Sequence, residues 1–517
     1  MSRPNGATVT SVETSPGAND VVSRRPTSQP SARHVPNGNS SSINGNEGTK
    51  ELRKSLQKKY RHVAAVHSKT RPSCLSHDAT ETPSFLGFRN LMVIVLVVGN
   101  LRLMIENIQK YGVLICIRCH DVRRQDIVLG LAMYLLIPCS LFAGYLIELA
   151  AAQQAKASRR RSTKKDGASS PTADESARFN ATWKLIAWAH TVNVTFALVV
   201  TSYVVYFHIH HPLIGTLTEL HAVIVWLKTA SWALTNRDLR HAYLHPAKGE
   251  LDALPDLYAA CPYPENITIS NLCYFWWAPT LVYQPVYPRT ERVRWLFVAK
   301  RMAEVFCLSV FMWLLSAQYA TPTLLNSLDK MASLDLPSIL ERLLKLSTIS
   351  LVIWLAGFFA LFQSFLNALA EVTRFADRAF YDDWWNSDSL GTYWRTWNKP
   401  VYQFFRRHVF SPLIGRGWSP QSASIAVFIV SAVLHEMLVG IPTHNIIWVA
   451  FLGMVLQLPL MALTRPLEKK QTPTGRMIGN CIFWVSFTIF GQPFAILVYF
   501  YAWQAKYGSV SKRWTHT

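Results

Sequence analysis

Nine stretches of predominantly apolar residues recur along this 517-residue chain, at roughly 88–105, 127–151, 182–207, 212–233, 296–319, 347–370, 423–441, 445–463 and 479–503. A helix of about 20 such residues, rising about 1.5 Å per residue, crosses a hydrocarbon core of about 30 Å. Hydrocarbon offers no hydrogen-bond partner to an open sheet edge, so the expected fold class is an all-α polytopic membrane protein with about nine transmembrane helices. Composition agrees. Half the residues are hydrophobic and only 16% are charged, against about 25% in soluble domains.

The charges are bunched. Residues 1–86 carry twelve Lys/Arg against six Asp/Glu amid Ser, Pro, Asn and Gly, a composition that cannot bury enough apolar surface to offset ordering entropy, so a disordered basic tail is expected there. Within it, KELRKSLQKKYR (Lys50 to Arg61) suits a short basic helix against anionic lipid, or equally a solvated charge run. The domain that follows runs over 87–504, with long loops at 152–181, 234–295 and 371–422 and a short tail at 505–517. Lys/Arg in these loops and in 465–478 place them on the cytosolic side, with the amino terminus cytosolic and the carboxyl terminus lumenal. Arg118, Arg123, Arg124 and the tail's Lys506, Lys512 and Arg513 run against that majority. A net charge of +21, interleaved with apolar runs, points to a membrane surface and not to nucleic acid.

The eight cysteines show no regular spacing. The one CxxC, CIRCH from Cys116 to His120, has no second pair near it in sequence and reads as chance; free thiols are expected.

The seventh span, SIAVFIVSAVLHEMLVGIP from Ser424 to Pro442, holds His435 and Glu436 between apolar residues. Ionisable groups at membrane depth are costly and mark function by default. Adjacent helix positions lie about 100° apart, so the two side chains point to different walls. Gln457 interrupts the eighth span and Gln492 the ninth, within FGQPF, where Pro493 also frees a carbonyl. The expectation is a ring of His435, Glu436, Gln457 and Gln492 around a buried chamber. No GxSxG elbow, phosphate-cradling loop or metal-ligand spacing accompanies the histidine, so no metal site is expected. A histidine without its own nucleophile is best used as a general base on a substrate hydroxyl, with amides donating to an oxyanion. That chemistry is acyl transfer to an alcohol inside a membrane. A transporter lined by the same polar residues is the alternative from another class.

FYDDWWN, Phe380 to Asn386, resembles the FYxDWWN signature of the membrane-bound O-acyltransferases, in the branch of the diacylglycerol acyltransferases of the first type and their sterol siblings. The positions that match are Phe380, Tyr381, Asp383, Trp384, Trp385 and Asn386, and HEMLVGIP follows at the family's distance. The resemblance covers about Gly87 to Trp503. LKTASWALTNRDLR (Leu227 to Arg240), YPENITISNLCYFWWAPTLVYQPVYPR (Tyr263 to Arg289) and the GQP at Gly491 to Pro493 are similar to the diacylglycerol branch. Met437 replaces the family's usual Tyr, and Tyr402 stands where a His often follows.

The resemblance implies roles. Acyl-coenzyme A, a substrate and not a cofactor, would enter through a mouth built from Trp394, Arg395, Thr396, Trp397 and Asn398. Lys399, Pro400, Val401 and Tyr402 would continue that wall, with Ser431 and Gln457 deeper. His435 would be the base, Asn398 and Gln492 oxyanion donors, and Glu436 an orienting or polarising group. No cofactor is required. The acceptor would be diacylglycerol arriving from membrane lipid, with a sterol as the sibling alternative; a homodimer in the endoplasmic reticulum membrane is implied. For Trp384 and Trp385 an interfacial anchoring belt is the competing expectation. Arg406, Arg407 and Arg416 suit phosphate partners on charge grounds, or equally simple positive-inside residues.

Overall fold

The computed structural model describes residues 62, 65–76, 83–108, 123–164, 173–245, 254–470 and 472–508. The Lys50–Arg61 segment and the CIRCH stretch lie outside them. No strand occurs among the described residues, only two isolated bridges, Arg71 with Asp377 and Arg289 with Phe375. Everything else that is regular is helical.

Seven helical passages are long and apolar enough to cross a membrane: Arg124–Arg160, Asn180–His208, Pro212–Leu244, Leu336–Val372, Pro420–Gly440, Val449–Leu467 and Thr474–Tyr507. They match seven of the nine expected spans. The other two also form helices: α1 (Leu86–Ile108), with a shorter apolar run over Leu86–Gly99, and a helix at Trp295–Leu315. The latter carries Lys300, Arg301 and Glu304 in its first half.

The first long passage is α2 (Arg124–Leu136) followed by α3 (Cys139–Lys164), which meet at Pro138, a residue with no amide hydrogen to continue the ladder. Next come α4 (Ala173–His208) and α5 (Pro212–Leu244). Their tight turn is held by Asp126, whose carboxylate accepts from the amides of His210 at 3.2 Å and His211 at 3.0 Å. The loop expected at 152–181 is therefore mostly helix.

After α5, a short α6 (Ile269–Trp277), capped by Thr268, packs on the bundle, and α7 (Trp295–Leu315) follows. Then α8 (Leu336–Phe358) passes through a π-turn at Phe359–Phe365 into α9 (Leu366–Val372). The segment after it contains α10 (Leu390–Thr396) and α11 (Lys399–Phe405). Five helices close the chain: α12 (Pro420–Gly440), α13 (Val449–Val455), α14 (Gln457–Lys470), α15 (Pro473–Val485) and, after a π-turn at Ser486–Gly491, α16 (Gln492–Tyr507).

The bundle is greasy outside and carries buried polar groups within its apolar core. Leu185, Trp188, Phe196 and Phe207 of α4 are exposed, whereas Glu148, Glu219, Ser231, Thr235 and Asn236 are buried. Lipid provides no hydrophobic drive for helix association, so packing and interior hydrogen bonds hold such a bundle. Glu148 shows the pattern: it ion-pairs with Arg240, accepts from the Tyr263 hydroxyl at 3.1 Å, and lies 3.3 Å from His190 Nε2.

Lys228 in α5 is fully enclosed. Its ammonium donates to the carbonyls of Phe275 (2.8 Å), Ala278 (2.9 Å) and Thr280 (2.8 Å), one per N–H, and so clamps the chain after α6 to the membrane helices. A charge taken out of water needs this full set of partners.

Part of the tail expected to be disordered is folded onto this clamped loop. The amides of Val66 and His67 donate to Gln284 Oε1, His67 Nδ1 lies 2.5 Å from Asp377, and Arg71 pairs with the same carboxylate. Thr280 Oγ1 lies 2.8 Å from His67 Nε2. Burial pushes the His67 imidazole below its usual 6.5 despite the neighbouring Asp377. It is therefore a neutral ring whose Nδ1–H donates to the carboxylate and whose Nε2 accepts from the Thr280 hydroxyl. Burial alone would raise the Asp377 carboxyl, but hydrogen bonds from His67 and Arg71 outweigh it and hold it low. Burial and three nearby arginines push His62 down to about 3; its ring stacks on His408 at 5.1 Å. Composition could not reveal this docking, because the partners lie more than two hundred residues away.

Candidate active site

His435 sits three-quarters of the way along α12, a helix started by Ser419, whose side chain accepts from the Ser422 amide, and by Pro420 at its first position. The His435 Nδ1 lies 2.7 Å from the Ser431 backbone carbonyl, with the Ser431 hydroxyl at 3.4 Å. A carbonyl oxygen has no proton to give, so Nδ1 carries the hydrogen and Nε2 presents its lone pair. This is the tautomer a general base requires. Phe428, Ser431 and His435 follow at helical spacing and share one face of α12.

That face meets the loop carrying the family-like motif. Trp394 stands edge-on to Phe428, ring centres 5.8 Å apart. Trp397 is stacked on Tyr393 at 5.9 Å and lies beside Trp354 and Phe362. Between Trp397 and α11 comes Asn398, whose Oδ1 accepts from the Val401 amide at 3.2 Å and caps that helix. The cap uses the oxygen and leaves the Nδ2 hydrogens for another acceptor. Pro400, at the second position of α11, and half-buried Val401 and Tyr402 extend the same wall.

The motif is scaffold. The Lys399 amide donates to the Phe380 carbonyl at 3.0 Å, the Asp382 amide to the Thr396 carbonyl at 2.9 Å, and Lys399 Nζ reaches both oxygens of Asp382 at 2.8 Å. These bonds clasp the Trp394–Asn398 turn. Tyr381 donates to Gln363 at 2.5 Å, within the π-turn at Phe359–Phe365. Asn386 ties the motif to the start of α1 through the Gly87 amide and the Ser84 carbonyl, and also donates to Asp383 at 3.2 Å.

The interfacial-belt reading of Trp384 and Trp385 is overturned. Both are 0% exposed. Trp384 is boxed by Trp354, Phe358, Tyr393 and Trp484, while the Trp385 indole donates to the Ser84 carbonyl at 2.9 Å. A polar, tryptophan-rich segment is here a packed aromatic core at the edge of the bundle, and the burial comes from residues remote in sequence.

The structure also divides the expected ring. Glu436 turns away from His435. It accepts from the amides of Trp448 (2.9 Å) and Phe451 (3.1 Å) at the start of α13 and from the Tyr499 hydroxyl (2.7 Å) of α16. The carboxylate is buried, and these three donors tie α12 to the start of α13 and to α16. Gln457 donates back to the Gly453 carbonyl at 3.1 Å along its own chain. Gln492 stands half-buried at the first position of α16, directly after the π-turn; such turns often mark functional sites. In α10, Arg395 is exposed and lies 3.2 Å from the Thr392 hydroxyl, while Thr396 bonds back to the Thr392 carbonyl.

Arg407 is a second correction. It is buried and donates to the Tyr283 carbonyl at 3.1 Å, so it braces the loop after α6 and is not open to a phosphate. Among the described residues no group of three or more His, Cys, Asp or Glu side chains is gathered closely enough to hold a metal ion.

Residues 176–501 match the model of MBOAT, the membrane-bound O-acyltransferase family. The chain belongs to the membrane-bound O-acyltransferase family. Its α4 to α16 carry that match, including the clasped motif and the His435 face. Curated relatives agree. The chain is 37% identical over 448 residues to diacylglycerol O-acyltransferase 1-2 of Oryza sativa subsp. japonica, covering 86% of each protein. It is 34% identical over 455 residues to diacylglycerol O-acyltransferase 1A of Glycine max, covering 86% of this chain and 83% of that protein. Diacylglycerol O-acyltransferase 1 of Arabidopsis thaliana is 34% identical over 456 residues, 87% of this chain and 80% of the relative.

Proposed function

We propose that this membrane-bound O-acyltransferase transfers the fatty acyl group of acyl-coenzyme A to the free hydroxyl of diacylglycerol, making triacylglycerol. The observation that carries the chemistry is the Ser431 carbonyl bond, which leaves the lone pair of His435 on Nε2. Nε2 takes the proton of the diacylglycerol hydroxyl as its oxygen attacks the thioester carbon. The tetrahedral oxyanion is held by Asn398 Nδ2, with Gln492 as second donor. On collapse the carbon–sulfur bond breaks, and the coenzyme A thiolate takes the proton from His435.

Trp394 and Trp397 form the wall for the pantetheine arm, with Arg395, Thr396, Lys399, Tyr402, Ser431 and Gln457 around the acyl-coenzyme A path. Glu436 acts through helix orientation. The scheme needs neither a metal nor an acyl-enzyme. The choice of diacylglycerol rests on the names of the relatives and the local motifs. The protein is read as a homodimer of the endoplasmic reticulum membrane, with the loops at 234–295 and 371–422 and the amino terminus on the cytosolic side.

The test is purified protein in detergent with labelled oleoyl-coenzyme A. Coenzyme A release and triacylglycerol formation with diacylglycerol, and little ester with cholesterol or ergosterol, are expected. Faster sterol esterification would move the acceptor to the sibling class. No thioester loss at all would favour a transporter.

A further inference from the structure

A cleft of about 700 Å³ lies between α4 and α5, and none of its lining residues belongs to the His435 face or the motif loop. The volume falls within the range of small-molecule sites, about 300–1,000 Å³. Its walls mix two kinds of surface. Ala187 and Val194 of α4 and Trp226, Ala230 and Ala233 of α5 are apolar, whereas Asn180, His190, Thr191 and Thr195 set a polar strip along the α4 side. The arginines at the end of α5 are matched: Arg240 is paired with Glu148, and Arg237 with Asp238. Charge therefore selects nothing here, and hydrogen bonding is what remains.

His190 is the group in that strip with an unmet requirement. It is only 6% exposed, its Nε2 lies 3.3 Å from Glu148 Oε2 on α3, and its Nδ1 has no partner. The Glu148 carboxylate, already ion-paired with Arg240, only accepts, so Nε2 carries the ring's hydrogen and Nδ1 its lone pair. With Nε2 turned to α3, the rest of the ring lines the cleft. A buried acceptor without a donor is costly, and a ligand that brings a donor removes that cost. The neighbouring Thr191 cannot supply it, because its hydroxyl donates to the Ala187 carbonyl at 2.9 Å. One turn further along the same face, Thr195 is exposed and offers a hydroxyl donor of its own.

We propose that this cleft binds diacylglycerol as a neutral lipid with a free hydroxyl, which donates to His190 Nδ1 while an acyl chain lies along Val194, Trp226 and Ala230. The ester carbonyl beside that hydroxyl accepts from Thr195, five residues or about 7.5 Å of helix from His190. Phosphatidylcholine brings no hydrogen to donate, and an ammonium headgroup would meet Arg237 and Arg240. A sterol brings the hydroxyl but no carbonyl for Thr195. A small soluble alcohol would leave the apolar wall uncovered. The site rests on the acyl-transfer reading only in that its lipid is then also the substrate; recognition of the hydroxyl by His190 does not use that chemistry.

The test uses full-length protein in phosphatidylcholine nanodiscs containing a trace of diacylglycerol with a photoreactive group on one acyl chain. Acyl-coenzyme A is left out, so the readout is binding and does not depend on turnover. Label is expected on peptides around residues 187–195 and 226–234, displaced by unlabelled diacylglycerol and not by its 3-O-methyl ether, which lacks only the donor hydrogen. His190→Leu should cut the labelling about fivefold, the loss of one hydrogen bond, and Ala230→Phe should block it by filling the cleft. Equal displacement by the methyl ether would overturn hydroxyl recognition and leave general lipid packing. Cholesterol displacing the label as well as diacylglycerol does would overturn the choice of diacylglycerol. Label confined to the His435 helix and the motif loop would remove the site while leaving the acyl-transfer reading intact. If His190→Leu fails to fold, the wild-type competition and Ala230→Phe decide the matter.

Discussion

The Lys399 ammonium lies 2.8 Å from each oxygen of Asp382, while the Lys399 amide donates to the Phe380 carbonyl. The pair closes the motif onto the turn that carries Trp397 and Asn398. Asp382 occupies the unspecified position of the FYxDWWN pattern, so in this chain the variable residue performs the clasping.

Breaking the clasp should misplace the turn without touching the base. Asp382→Ala is expected to lower turnover about tenfold, since small misplacements of a reacting geometry cost up to about 10²-fold. The exchanged pair Asp382→Lys with Lys399→Asp should recover part of the loss. Steady-state kinetics with acyl-coenzyme A read both; no recovery in the exchanged pair would show that the pairing itself is unimportant.

Asn398 is assigned two jobs, and one substitution separates them. Asn398→Asp keeps an oxygen to cap α11 and removes the Nδ2 donor. Thermal stability should stay near wild type, because Asp and Asn cap about equally well, while turnover falls by about 10²–10³. Full turnover in Asn398→Asp would leave the residue as a cap only.

His435→Ala should remove acyl transfer, a loss of about 10² or more. The ring's hydrogen bonds run to Ser431 of its own helix, so folding should persist. Coenzyme A release from a monodisperse preparation is the measurement. Substantial activity there would falsify the proposed mechanism.

Glu436 makes an opposite prediction. Its carboxylate serves two amides and the Tyr499 hydroxyl. Glu436→Ala should therefore lower stability by about 3 kcal/mol or more, hydrogen bonds to a charged group contributing about 1.5–3 kcal/mol each. Tyr499→Phe should show a smaller loss of the same kind. A wild-type melting temperature with abolished turnover would instead place Glu436 on the substrate.

The docked segment at 65–76 should respond to acid. His62 and His67 both titrate below 6.5 when docked. A released segment then binds more protons, so docking is fully favoured above pH 6.5 and weakens as pH falls. The loss approaches about 1.4 kcal/mol per pH unit for each imidazole. Asp377, held below 3.8, keeps its pairing with Arg71 across that window. Hydrogen exchange at pH 7.5 and 5.5, corrected for intrinsic rates, should show deprotection of 65–76 at the lower value. Equal protection at both would mean that the histidines do not control docking.

Periodicity and composition determined the membrane fold, because a span must satisfy its own backbone and meet lipid with apolar side chains over a fixed length. His435 stands out as a candidate for the same reason: a titratable ring at membrane depth has no cheap structural use. The resemblance carried by Phe380 to Asn386 pointed to the segment whose Trp394 packs on Phe428 of α12. What each flanking residue does was not legible. Glu436 and His435 are neighbours in sequence, yet about 100° of helix turn sends one toward α13 and Tyr499 and the other toward the Trp394 loop. Trp384 and Trp385 looked interfacial because their neighbours in sequence are polar, whereas their burial comes from Trp354, Phe358 and Trp484. Lys228 and the Val66–Arg71 segment find their partners only across the fold. Local sequence sets solvent preference and helical face; which carbonyl, carboxylate or ring waits on that face depends on contacts between distant elements, and only the tertiary structure decided it.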